Sequence, residues 1–189
     1  MKKGIKRIIL FSLVMLTLPL QAQHLQFMGI PLTGNIDNFS KKLSERHVLP
    51  IPSENRTLGF GIRAFYGYFA ERKCKIYVWY DRYKNVYSAK TYFYFSEEDY
   101  NRPREVRHNF AKILLENLKM KYSSATQSKF ADGDRYATLY VPRTGSEDYL
   151  GEIILWWKDD YSDHGCDLNL QYVDYASGHI SNDKIKDDL

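Results

Sequence analysis

Asp163-His164-Gly165-Cys166 places a carboxylate, an imidazole and a thiol within four consecutive positions. A thiol becomes a nucleophile when a neighbouring base favours its thiolate. The surrounding alternation argues against that chemistry. Cys166, Leu168, Leu170 and Tyr172 share one apolar face of an expected strand, with Asp167, Asn169 and Gln171 on the other. Cys166 therefore reads as a core thiol or as half of a disulfide. The other cysteine, Cys74, opens a similar series with Ile76 and Val78. In an oxidising compartment an even cysteine count invites a bridge. A Cys74–Cys166 disulfide would close a loop of about 90 residues and contribute up to ~4–5 kcal/mol on the chain-entropy model. Two separate buried thiols are the alternative, because Cα separation decides the matter.

The remaining reactive side chains form no catalytic or metal-ligating set. Asp159, Asp160, Asp163 and Asp167 make an acidic loop, but Tyr161 stands where a calcium loop needs a ligand. Asp132-Gly133-Asp134 is equally generic. His24, His47, His108, His164 and His179 show no zinc spacing. Arg102, Arg104, Arg107 and His108 lie beside Glu97, Glu98, Asp99 and Glu105, which favours surface ion pairs over an anion site. No catalytic residue, metal ligand or cofactor is assigned.

The aromatic residues carry the strongest binding signal. The chain has 16 Tyr, 10 Phe and 3 Trp. Strands are expected at Ile62–Phe69, Cys74–Tyr80 and Val86–Phe95. Asp81 to Asn85 forms the turn between the last two, with Asn85 suited to positive φ. Period two then gathers Cys74, Ile76, Val78, Ala89, Thr91 and Phe93 on a core face. Lys75, Tyr77, Trp79, Ser88, Lys90, Tyr92 and Tyr94 gather on a wetter face. Exposed Tyr and Trp are enriched in protein interfaces and stack on sugar rings. Tyr77, Trp79, Tyr92 and Tyr94 are thus the candidate binding residues, unless a helix covers them as a second core layer. Trp156-Trp157 puts one ring on each face of its strand, so one of them extends the stripe.

The supporting elements follow from periodicity and capping. Phe27–Leu32 is apolar and extended. Asn35 caps a helix over Ile36–Arg46, with Ile36, Phe39 and Leu43 as its apolar stripe. His47 occupies the position after the helix where Gly is preferred, and Val48 folds back. Ser53 to Thr57 is expected as loop. A second helix spans roughly Pro103–Tyr122, with Val106, Phe110, Ile113, Leu114, Asn117 and Met120/Lys121 on a mostly apolar face that Leu118 and Tyr122 extend. Ser123 to Asp134 is polar loop, and strands follow at Arg135–Val141, Gly151–Trp157 and Cys166–Asp174. The fold class is α+β, an antiparallel sheet with two main helices in the order α-β-β-β-α-β-β-β. Cys74–Tyr80 and Cys166–Tyr172 both read C-x-[IL]-x-[VL]-x-Y. Chance alternation explains this, or a diverged tandem of two helix-plus-sheet units.

Residues 1–22 stand apart. Lys2, Lys3, Lys6 and Arg7 precede an apolar run, Ile8–Leu20, and Gln21-Ala22-Gln23 supplies a small residue for cleavage. This is the layout of a secretory signal peptide, and the run falls short of the about 20 residues of a spanning helix. No cysteine follows to carry a lipid. The expected mature chain is one α+β domain, residues 23–176, with a polar C-terminal tail, 177–189. The protein is expected to be periplasmic or secreted, with no transmembrane segment after cleavage. Removing the four basic signal residues from 27 leaves 23 Lys and Arg against 23 Asp and Glu. The basic footprint of a nucleic-acid binder is missing.

Several segments together resemble a known family. They are Phe27-Met28-Gly29-Ile30-Pro31-Leu32-x-Gly34, Gly67-Tyr68-Phe69-Ala70, Cys74-x-Ile76-x-Val78 and Leu170-x-Tyr172-x-Asp174. They resemble small secreted proteins of unknown function from anaerobic Gram-negative gut bacteria, with His47 replacing the usual Gly. The layout is also similar to the fold of the β-lactamase-inhibitor-protein-like group. The resemblance implies a binding module of the cell envelope and supplies no catalytic residues. The expected function is non-enzymatic contact with a protein partner in the envelope, as an inhibitor or immunity-type partner. A hydrolase with a scattered active site and a glycan-binding domain are the alternatives.

Overall fold

The structure is a computed structural model describing residues 24–95, 103–127, 135–158 and 167–177. The signal segment, Asp159, Asp160 and Asp163 of the acidic loop, Asp132-Gly133-Asp134, Cys166 and the tail beyond Ser177 lie outside the described residues.

The chain begins with a small hairpin, β1 (Gln26–Phe27) and β2 (Ile30–Pro31). Sequence reading expected one extended stretch here. Met28 and Gly29 instead take positive φ, 51° and 73°, the geometry of a tight two-residue turn. Helix α1 (Ile36–Ser44) follows, capped by Asn35, whose side chain accepts from Asp37 N at 2.8 Å. It ends at His47, which adopts φ 60°, while Val48 N returns to Leu43 O at 3.0 Å. That is the fold-back stop anticipated from the sequence, made without glycine.

β3 (Leu49–Pro50) leads into a short helix, α2 (Pro52–Thr57), where loop was expected. Pro52 at its first turn has no N–H to strand, and Asn55 N and Leu58 N bond back to Ile51 O and Glu54 O. β4 (Ile62–Phe69), β5 (Arg72–Tyr80) and β6 (Val86–Phe93) then run as a meander. The β5–β6 turn is held by Asp81, which accepts from Tyr83 N at 2.8 Å and Asn85 N at 2.7 Å. Lys84, not Asn85, takes the positive φ.

Helix α3 (Pro103–Lys121) opens the second half. β7 (Thr126–Gln127), β8 (Arg135–Pro142), β9 (Tyr149–Lys158) and β10 (Asp167–Asp174) complete it. β7 falls inside the segment expected as polar loop. The chain is α+β, and its main sheet is antiparallel throughout, ordered β3-β4-β5-β6-β10-β9-β8-β7. Each half therefore lays down a two-residue strand and three long ones, and the halves meet where β6 pairs with β10. The equivalent of β5 in the second half is β9, not β10. The C-x-[IL]-x-[VL]-x-Y echo thus joins non-equivalent strands and reflects alternation.

One face of the sheet carries the core. Cys74, Ile76, Val78, Ala89, Phe93, Ile153, Leu155, Trp157, Leu168 and Leu170 are buried there. Ile36, Phe39 and Leu43 of α1 join the same cluster, with Ala111, Leu114, Leu115 and Leu118 of α3. The inward stripe of α3 matches expectation only in part: Leu114 and Leu118 are buried and Val106 and Phe110 pack against the core, but Ile113 and Met120 are 57% and 71% exposed. Apolar residues on this helix form more than one i, i+3/i+4 series, so spacing alone did not choose between them. No helix among the described residues is long and apolar enough to cross a membrane.

Candidate binding face

The opposite face of the sheet takes its order from strand register. One row across five strands is Tyr66, Lys75, Tyr92, Asn169 and Trp156. The next is Ala64, Tyr77, Lys90, Gln171 and Ile154, and the next Ile62, Trp79, Ser88, Val173 and Glu152. Tyr94 and Lys73 continue beyond Tyr92 and Lys75, joined by Tyr94 N to Lys73 O at 2.9 Å.

All four candidate residues lie on this face. The Tyr77 ring centroid is 6.2 Å from that of Trp79 and 5.5 Å from that of Tyr92, the latter edge-on. Tyr77, Trp79 and Tyr92 are half-buried and Tyr94 is exposed. Trp156 lies on this side, across Asn169 from Tyr92, while Trp157 faces the core. Neither α1 nor α3 covers the rings, since both bury their apolar stripes on the other face.

The short helix α2 does reach around. Glu54 Oε1 accepts from Lys75 Nζ at 3.0 Å and from Tyr77 OH at 2.9 Å. Partial burial pushes the Glu54 carboxyl up, but the bonds from Lys75 and Tyr77 outweigh it and hold the group below its ordinary value. The same bond raises Lys75, and burial raises Tyr77. Sequence reading missed Glu54 because it treated 53–57 as loop; Pro52 followed by an acid in the next positions was the available helix signal. Lys90 Nζ stands 4.9 Å from the Tyr92 ring centroid and Lys73 Nζ 5.3 Å from that of Tyr66.

The wetter-face assignment needs one correction. Ser88, Thr138 and Asn169 point to this side yet are buried. They are short side chains among tall rings and long lysines, so their neighbours cover them. Ser88 Oγ donates to Tyr172 O at 2.8 Å and accepts from Gln171 Nε2 at 3.3 Å. Asn169 differs: it is 3% exposed, and its Oδ1 has no hydrogen-bond partner among the described residues.

Cys74 lies on the core side, as expected. It is a free buried thiol whose Sγ contacts Gly67 O at 3.6 Å, and burial pushes its pKa to about 12. The proposed partner, Cys166, lies outside the described residues, as do Asp163 and His164.

His24, Asp174 and Ser177 come together, the residue types of a hydrolytic triad. Their arrangement is structural. His24 Nδ1 lies 3.1 Å from Asp174 Oδ1, and Ser177 Oγ lies 3.4 Å from the same Nδ1. Catalysis needs the carboxylate and the hydroxyl on opposite ring nitrogens. Ser177 Oγ donates to Leu32 O at 2.8 Å, and Asp174 accepts from Leu25 N at 2.7 Å and Ser177 N at 2.8 Å. The cluster ties the start of the described chain to its end, and Ser177, first residue of the expected tail, is buried.

An open groove of about 960 Å³ borders this face, lined by Tyr66, Arg72, Lys73, Tyr94, Phe110 and Ile113 among others. The Arg72 guanidinium carbon lies 4.7 Å from the Phe95 ring centroid and 4.9 Å from that of Phe110. Among the described residues no group of three His, Cys, Asp or Glu could hold a metal ion. Comparison with protein-family models, curated proteins and solved structures returns no match.

Proposed function

We propose that this protein is a non-enzymatic binding module of the bacterial envelope, exported by its N-terminal signal, that engages a protein partner through the Tyr77–Trp79–Tyr92 face. The carrying observation is the ring cluster itself. Tyr77 touches both Trp79 and Tyr92 on the side of the sheet opposite the core, and the two main helices pack on the other side. Breadth supports a protein rather than a small ligand. Six long strands at about 4.8 Å and eight residues at about 3.3 Å span roughly 600 Å². That approaches the ~800 Å² per partner of a standard interface. The resemblance to small secreted envelope proteins points the same way.

The test compares native protein with Trp79→Ala in affinity capture from envelope extract and in thermal melting. A central interface ring costs about 2 kcal/mol or more of binding when truncated. Loss of a captured protein with an unchanged melting point supports the reading. A large fall in melting point with capture retained sinks it. Mass spectrometry of the exported chain should find a mature form beginning near Gln23.

A further inference from the structure

The binding face is unevenly charged. On β5 and β6 it presents Lys73, Lys75 and Lys90 among Tyr66, Tyr77, Tyr92 and Tyr94. Of the carboxylates near it among the described residues, Glu54 is already shared by Lys75 and Tyr77, and Glu71 lies at the β4–β5 turn beside Lys73 without an ion pair to it. Glu152, farther across, takes a hydrogen bond from Tyr175. The ion pairs of the described residues involve neither Lys73 nor Lys90. Each of those ammonium groups stands instead over a tyrosine ring. A ring face holds a cation in place without neutralising it, so both keep their full attraction for an anion. Strand geometry puts them about 14 Å apart along the sheet, with Lys75 between.

The second observation is independent of charge. Asn169 sits in the row between Tyr92 and Trp156, is 3% exposed, and leaves Oδ1 without a partner. A buried amide acceptor left unpaired costs stability that an apolar side chain of the same shape would not. On the core side such a site would be filled by leucine, as Leu168 and Leu170 fill their own. On this face the cost is offset once something docks and donates to the amide.

We infer that the partner is an acidic protein surface, whose carboxylates pair with Lys73 and Lys90 while a main-chain or side-chain donor on a protruding loop bonds Asn169 between Tyr92 and Trp156. This rests on the proposed function and gives the partner its chemistry. The free lysines set orientation and association rate, since such charges act most on encounter. Asn169 acts at close range, where rejecting a partner without the donor is most effective.

The experiment pans a phage-displayed library of disulfide-closed twelve-residue loops against the full exported chain, with oligogalacturonate as a second, polysaccharide probe. The expected result is enrichment of loops rich in Asp and Glu. Affinity of the best synthetic loop should fall at least tenfold in Lys73→Ala/Lys90→Ala and weaken steeply with added salt. Asn169→Leu should weaken binding about tenfold while leaving the melting point unchanged or raised. Acid-free loops, or binding that survives the lysine double variant but fails in Trp79→Ala, overturn the acidic partner and leave the face intact. Binding indifferent to Trp79→Ala overturns the face itself. Lysine-dependent binding of oligogalacturonate with no enriched loop overturns the protein partner in favour of an anionic glycan, and failure of both probes overturns the inference. An Asn169→Leu chain that loses melting temperature along with binding reduces Asn169 to a structural role.

Discussion

Gly67 of β4 lies directly beneath Val48: a Cβ built on the glycine would sit 2.8 Å from Val48 Cγ2 and 3.1 Å from His47 O. The turn that ends α1 can therefore cross the sheet only where the strand carries no side chain. The contact joins two unrelated-looking sequence features, the His47 stop and the Gly67-Tyr68-Phe69 strand.

Gly67→Ala should destabilise the protein by about 2 kcal/mol, since overpacking a close backbone approach typically costs 1–3 kcal/mol. Thermal or denaturant unfolding checks it. A change within experimental error would mean that the Val48 turn moves aside freely.

Asp174 is fully buried and accepts from Leu25 N and Ser177 N, with His24 Nδ1 alongside. Asp174→Ala should cost about 3 kcal/mol, because it strands several buried partners at once. Asp174→Asn should cost less. A double-mutant cycle with Ser177→Ala should return a clear coupling, and independent effects would deny the cluster its clamping role.

Glu54 gives the Tyr77 side of the sheet a pH dependence of known sign. Partial burial pushes its folded pKa up, but the bonds from Lys75 and Tyr77 outweigh this and hold it below the ordinary carboxylate value. A depressed carboxyl contributes stability above its unfolded pKa and loses it as pH falls through the folded value. The contribution should be full at neutral pH and decline as pH falls through the carboxylate range, by no more than ~1 kcal/mol for a pair still in contact with water. Comparing melting points of native protein and Glu54→Gln across acid pH tests this. The difference between them should shrink on acidification.

Cys74, with a thiol raised to about 12 and no exposure, should resist alkylation in the native state. In a Cys166→Ala background, labelling should be slow in buffer and rapid in denaturant. Fast native labelling would place the thiol at the surface and undo the core-face assignment.

Much of this architecture can be read from the chain because the strands alternate cleanly. Period two assigned Cys74, Ile76 and Val78 inward and Tyr77 and Trp79 outward, and α1 announced itself by Asn35 and an apolar stripe. What stayed hidden depends on longer range. β3 and β7 have two residues each, too few for any pattern. The inward face of α3 was ambiguous because the helix is apolar on more than one side. Asn169 and Ser88 alternate as exposed residues do, and only the height of their neighbours across three strands buries them. Glu54 became a site residue through a single turn of helix that brings it over Tyr77, a relation with no local signature.

Asn55 settles a different problem. Its side chain accepts from Ala64 N at 2.6 Å and donates to Ala64 O at 3.1 Å, and Ile51 N also bonds that oxygen at 2.9 Å. One amide side chain thus stands in for a neighbouring strand just where β3 runs out. A bare strand margin is a template for stacking chain upon chain into fibres. A sheet that carries exposed tyrosines and half-buried tryptophans on one face has particular need to close that route. With Asn55 bonded to both main-chain groups of Ala64, addition of a second copy strand by strand is blocked at that point of the β4 margin.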